Sequence, residues 1–314
     1  MRAGLVAVSL ALLALGCVPK SPVAELERTA KQQQQGFEAV FSESLKRANA
    51  GDLEAMRVVG QMHHIGRGTP VNHAEAQRWY RKAAALGDAE SAYRVGVMID
   101  FGVGSAADPA EAVRFLRLAA AKGHPTGQRQ LADMLAQGRG AAKDDAEASR
   151  LYLAAAQQGD PAAQSAIAQR LDGGIGIERN PAEALRWYRA ASELGSPLDE
   201  YQVGFHYDMG IGIAEDDYEA LAWYRRAAAG GLQDAQYALG TLYANPKGVV
   251  HDPVEACRWL EIAVTNAHPS ARRALIAVER QLDARAREDC RKLAAEWLAR
   301  HTKAVPSAPP APAP

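Results

Sequence analysis

Reactive side chains in this sequence are few, and their spacing is poor for catalysis. His63 and His64 are adjacent, so on a helix their rings point about 100° apart and do not close on one ion. Neither H-E-x-x-H nor C-x-x-C occurs, and no metal site is expected. No serine opens an S-x-x-K and K-T-G is absent, which removes the serine arrangement of β-lactam enzymes. Paired glycines such as Gly102 and Gly104 lack the third glycine of a dinucleotide fingerprint and follow no predicted strand. Three cysteines remain, Cys17, Cys257 and Cys290. The pattern calls for no cofactor and no catalytic residue. A formal net charge of −1 over 314 residues also gives no basic field to draw in nucleic acid.

Cys17 has a context that suggests chemistry. Arg2 precedes an uncharged apolar run from Ala3 to Leu15, shorter than the roughly 20 residues of a membrane span and laid out as a cleaved secretory signal over residues 1–16. The ending Leu13-Ala14-Leu15-Gly16-Cys17 resembles the lipobox of bacterial lipoproteins, although Ala14 and Leu15 reverse the more usual large-then-small order. The resemblance implies acylation of Cys17, and Val18, not an aspartate, next to it implies an outer-membrane address facing the periplasm. In that oxidising compartment Cys257 and Cys290 could pair or stay as two buried thiols, and the sequence leaves both open.

The elements that must carry any function repeat. Six ungapped units of 36 residues start at Asp52, Asp88, His124, Asp160, Ser196 and Leu232 and end at Ala267. Gly68, Gly104, Gly140, Gly176, Gly212 and Gly248 occupy one position, and a second glycine stands two residues earlier in every unit but the last, which has Pro246. The pair predicts a break between two helices. Four residues on, Asn72, Asp108, Asp144, Asn180, Asp216 and Asp252 each precede a glutamate by three, the signature of a reciprocal capping box. The helix that follows carries Trp79, Phe115, Leu151, Trp187, Trp223 and Trp259, each with an alanine four residues later, and this large-over-small row is expected to be core. On the preceding helix a row from Val59 to Leu239 is followed by Gly60, Gly96, Ala132, Ala168, Gly204 and Gly240, small enough for two backbones to approach.

The G-x-G pair, the D-x-x-E-A step and the W-Y-x-x-A-A ending resemble the Sel1-like repeat, a relative of the tetratricopeptide repeat. That resemblance covers residues 52–267 and implies an all-α fold, an α/α solenoid of helix-turn-helix repeats wound as a right-handed superhelix. Residues 17–51 are then a linker and capping helix, 268–303 a degenerate repeat and C-terminal cap, and the Pro/Ala-rich residues 304–314 an unfolded tail.

Function is sought where the six copies differ. The sixth residue of each unit is Arg57, Tyr93, Arg129, Ser165, Tyr201 and Tyr237, and four later, on the same face, come Gln61, Val97, Asp133, Gln169, Phe205 and Thr241. By resemblance to tetratricopeptide arrays this face lines a concave groove. Arg57, Tyr93, Arg129, Tyr201, Phe205 and Tyr237 are therefore the candidate partner-binding residues, being of the types that dominate interfaces. The resemblance implies a scaffold that binds protein partners in the cell envelope and helps assemble an envelope or secretion complex. Binding of peptidoglycan or another glycan suits the same aromatic face. A β-lactam enzyme is disfavoured further, because the subclass proposed to act on β-lactams carries a cysteine pair in nearly every unit and here only Cys257 lies within the six.

Overall fold

The computed structural model describes residues 22–245 and 251–301, with side chains from residue 31 onward. The signal segment and Cys17, the glycine turn at Gly248 and the tail lie outside the described residues. The described residues hold fifteen helices and no strand: α1 (Pro22–Asn49), α2 (Leu53–Ile65), α3 (His73–Ala85), α4 (Ala89–Asp100), α5 (Pro109–Ala121), α6 (Pro125–Gln137), α7 (Asp145–Gln157), α8 (Pro161–Gly173), α9 (Pro181–Ser192), α10 (Pro197–Met209), α11 (Asp217–Ala229), α12 (Gln233–Ala244), α13 (Pro253–Thr265), α14 (Ala271–Glu279) and α15 (Ala284–His301). No helix among them is long and apolar enough to cross a membrane. The chain forms two compact units, residues 1–124 with α1–α5 and residues 125–314 with α6–α15.

Each repeat is a helix pair, and its glycines act by conformation and by space. Gly66, Gly174 and Gly210 end α2, α8 and α10 in the left-handed region, with φ of 71°, 67° and 63°. The glycine two residues later has a second duty. A Cβ on Gly104 (φ 87°) would stand 2.5 Å from the His73 carbonyl oxygen, and one on Gly176 2.1 Å from that of Asp145. The turn of one repeat thus lies flat on the start of the previous repeat's second helix, and only hydrogen fits between them.

The capping box is realised by half. All six Asp or Asn side chains accept from the backbone N–H of the glutamate three residues on. The return bond is not made, because the cap's own N–H is already used. It donates to a carbonyl of the helix before, Asn72 to His63 at 2.8 Å, Asn180 to Leu171 at 2.8 Å and Asp216 to Tyr207 at 3.0 Å, and so ties the two helices of the repeat together. The glutamates find other donors: Glu183 accepts from the Asn180 side-chain amide at 3.1 Å, and Glu111 accepts two hydrogen bonds from Arg81 of the previous repeat.

The core differs from expectation by one residue. Trp79 and Trp259 are buried, but Phe115, Leu151, Trp187 and Trp223 are only half-buried. Full burial falls to the residue after each: Tyr80, Leu116, Tyr152, Tyr188, Tyr224 and Leu260. These side chains sit directly over the small residue of the first helix. A Cβ on Gly60 would lie 2.8 Å from the Tyr80 ring and one on Gly240 2.5 Å from Leu260 Cγ. The small row is therefore a seat for a side chain, not only a backbone contact.

The two buried tryptophans of this row mark its ends, where something covers them. Trp79 packs with Ala48, Ala55, Met56, Val59 and Ala83, joined by Phe41 and Leu45 of α1. Trp259 meets Trp297 of α15 edge-on, with ring centroids 5.6 Å apart. Both α14 and α15 pack on α13, and Cys257 of α13 is bonded to Cys290 of α15. Both cysteines are fully buried.

Candidate functional site

The varied row on the first helices is largely an inter-repeat joint. Arg57 approaches Asp88 at 3.9 Å, and Arg129 reaches Asp160 at 3.1 Å. Tyr93 stacks on His124 with centroids 4.8 Å apart, and Tyr237 stacks on His268 at 4.2 Å. In each case the partner is the residue that opens the following repeat. Arginine is matched with aspartate and tyrosine with histidine, so the differences between copies are correlated in pairs. Ser165 also links to the next repeat, but to its fourth residue, donating from Oγ to Asp199 at 2.7 Å.

Tyr201 and Phe205 form a different arrangement. Both are half-buried on α10, stacked with centroids 6.2 Å apart, and Tyr201 also tilts onto Tyr224 of α11 at 5.5 Å. Burial pushes the Tyr201 phenol up, and the carboxylates of Asp234 and Asp208 push it further in the same direction. The result is a neutral aromatic shelf whose outer edges meet solvent. Of the other residues in the second row, Asp133 accepts from the Tyr152 hydroxyl at 2.6 Å, while Gln61 and Gln169 are exposed.

A cleft in the first unit escaped the sequence reading. About 330 Å³ in volume, it is lined by His64, Tyr80, Tyr93, Arg94, Val97 and Met98, contributed by α2, α3 and α4. Tyr93 and Val97 belong to the varied rows. His64, Tyr80 and Arg94 lie outside those rows, and the packing of α4 on α3 brings Arg94 and Tyr80 together. Burial lowers the His64 imidazole and keeps it neutral, with His73 and Arg94 adding to the effect.

This helix pair repeats six times, and the comparison with protein families identifies it. The model of the Sel1 repeat matches residues 53–88, 89–124, 125–160, 161–196, 197–232 and 233–268. The chain belongs to the Sel1 repeat family. Two solved structures are similar along most of the Sel1 chain. A protective antigen present in uropathogenic Escherichia coli strains, displaying an SLR fold, is 26% identical over 89% of this chain and 71% of its own, with a TM-score of 0.59. A Sel1 repeat protein from Oxalobacter formigenes is 32% identical over 76% of this chain and 68% of its own, with a TM-score of 0.56. No curated protein sequence matches. Sel1 repeats commonly mediate protein–protein interaction, and the family consists mostly of scaffolds and adaptors.

Proposed function

We propose that this Sel1 chain is a non-catalytic scaffold that holds a protein partner on the first-helix face of its repeats, anchored to the outer membrane through lipid on Cys17 and serving assembly in the cell envelope. The observation that carries the binding surface is the Tyr201–Phe205 shelf. Its ring contacts run to each other and to Tyr224, whereas Tyr93, Arg129 and Tyr237 engage the next repeat and Arg57 is held by Glu54 of its own helix and lies near Asp88. Large, stiff rings with two rotatable bonds provide contact area at low entropic cost. The lipobox-like ending at Cys17 supports the anchor.

A photo-crosslinking residue at position 201, with one at exposed position 222 as control, tests the surface in cells. Capture of a discrete envelope protein from 201 alone is expected. Adducts equal at both positions would remove the shelf as a docking site, and retention of the pure protein on isolated sacculi would move the reading to glycan. For the anchor, Cys17→Ser is expected to abolish acyl labelling and to release the protein from the membrane fraction.

A further inference from the structure

We infer that the cleft between the first two repeats is a carboxylate-binding site, one that receives an acidic side chain or a chain terminus of the partner protein; the inference rests on the scaffold reading for the partner and on the cleft's own chemistry for the carboxylate. The floor is Tyr80. Its ring is 1% exposed, and its buried hydroxyl has no acceptor for its proton, the Arg94 guanidinium beside it being itself only a donor. A buried hydroxyl left unmatched costs free energy, and an acceptor entering the cleft would recover it. Burial raises the Tyr80 phenol, with the Arg94 guanidinium offsetting part of the effect, so the group stays a proton donor at neutral pH. His64 Nδ1 is a second buried nitrogen in the cleft without a partner.

Arg94 provides the charge, and its geometry leaves part of it unused. Its Nε donates to Glu90 at 2.5 Å, and Cζ lies 5.6 Å from the centre of the Tyr80 ring. The bond to Glu90 engages Nε, and the two η nitrogens form the other edge of the fork. Glu90 is also held by His124 at 2.9 Å, so its charge is already shared between two partners. An incoming carboxylate would accept from an Arg94 η N–H with one oxygen and from Tyr80 with the other, the planar match that favours arginine for this group. Tyr93, Val97 and Met98 form an apolar wall beside that pair of donors. The cleft thus suits a short group that is anionic at its tip and apolar behind it.

The test uses the full chain and three small probes: N-acetyl-leucine, which carries a terminal carboxylate; N-acetyl-glutamic acid 1-amide, which carries only a side-chain carboxylate; and N-acetyl-leucine amide, which has none. The readout is the NMR shift of the Arg94 Nε–H. Saturable shifts at roughly millimolar concentration are expected from the acids, in keeping with their size, and none from the amide. Which acid binds more tightly distinguishes a chain end from a side chain. Tyr80→Phe is expected to weaken binding at least about tenfold with no loss of folding, because the hydroxyl it removes donates to no acceptor in the folded chain. Val97→Phe, which fills the cleft, is expected to abolish it. Equal shifts from acid and amide, no shift from any probe at tens of millimolar, or unchanged affinity in Tyr80→Phe would each overturn the carboxylate site. Partner capture from position 201 with no probe binding would sink the cleft alone. Probe binding with no captured partner would sink the scaffold reading and leave a site for free carboxylates.

Discussion

At the scale of single residues, each repeat ends on the same backbone requirement. Gly51, Gly87, Gly123, Gly159, Gly195 and Gly231 all have positive φ, between 75° and 96°, but the sixth repeat ends on Ala267 with φ 65°. A side chain in the left-handed region costs roughly 1–2 kcal/mol. Ala267→Gly is therefore expected to raise the unfolding free energy by about 1 kcal/mol, read from urea denaturation. Gly87→Ala, where no backbone atom stands in the way of a new Cβ, is expected to lose a similar amount through conformation alone. Gly104→Ala should cost distinctly more than Gly87→Ala, because it adds a clash with the His73 carbonyl. If the two alanine variants were equally stable, the close seating of the turn would have no energetic weight.

At the scale of helices, the period, the helix breaks and the caps could be read from residue types alone, since cap chemistry and left-handed glycines are local and recur at fixed offsets. Two features could not. The buried residue is one place beyond the aromatic row because burial depends on which side chain faces Gly60 or Gly240 across the pair, and the larger, more conspicuous tryptophan drew attention instead. The varied row on the first helices was legible as a face but not as a joint. The signal was present, though, along the diagonal: at four of the six joints residue six of one copy is matched to residue one of the next, arginine with aspartate and tyrosine with histidine, and Ser165 with Ser196 and Tyr201 with Leu232 are the exceptions. Comparing copies position by position hides that correlation. A double-mutant cycle on Tyr93→Ala and His124→Ala is expected to show a coupling of about 0.5–1.5 kcal/mol, and a cycle on Tyr93 with Tyr80 should not reproduce the stacking contribution. Additive losses from Tyr93 and His124 would show that the stack adds nothing to the joint between the two repeats.

At the scale of the whole molecule, stability is bounded by ionisation at both ends of the pH range. Burial pushes the Tyr152 phenol well up, as does its hydrogen bond to Asp133, and burial does the same to Tyr188 and Tyr224, helped by nearby aspartates. The unfolded chain releases these protons near pH 10 and the folded chain does not, so their contribution is full below about pH 10 and is lost as pH rises beyond it. Phenolate absorbance from these three tyrosines is expected to appear only with the loss of helical circular dichroism. On the acid side, burial pushes Glu90 up, but hydrogen bonds from His124 and Arg94 outweigh it, while the Arg81 hydrogen bonds hold Glu111 down. Both folded carboxyls therefore lie below their unfolded values. The stability they add is present above about pH 4.5 and disappears as pH falls through the folded values. Reduction of Cys257–Cys290 is expected to cost about 3–4 kcal/mol by the loop-entropy relation, with the lost cooperativity confined to α13–α15 in hydrogen exchange.

That crosslink spans 33 residues in sequence and ties α13 covalently to α15, whereas the joints Tyr93 to His124 and Arg129 to Asp160 hold by stacking and by charge. Under tension the two ends of the chain should then behave differently. A molecule stretched from its termini is expected to yield helix pair by helix pair from the α1 side, each step releasing one repeat's length. The last step should come up short, because the segment between Cys257 and Cys290 stays looped until a reductant is added.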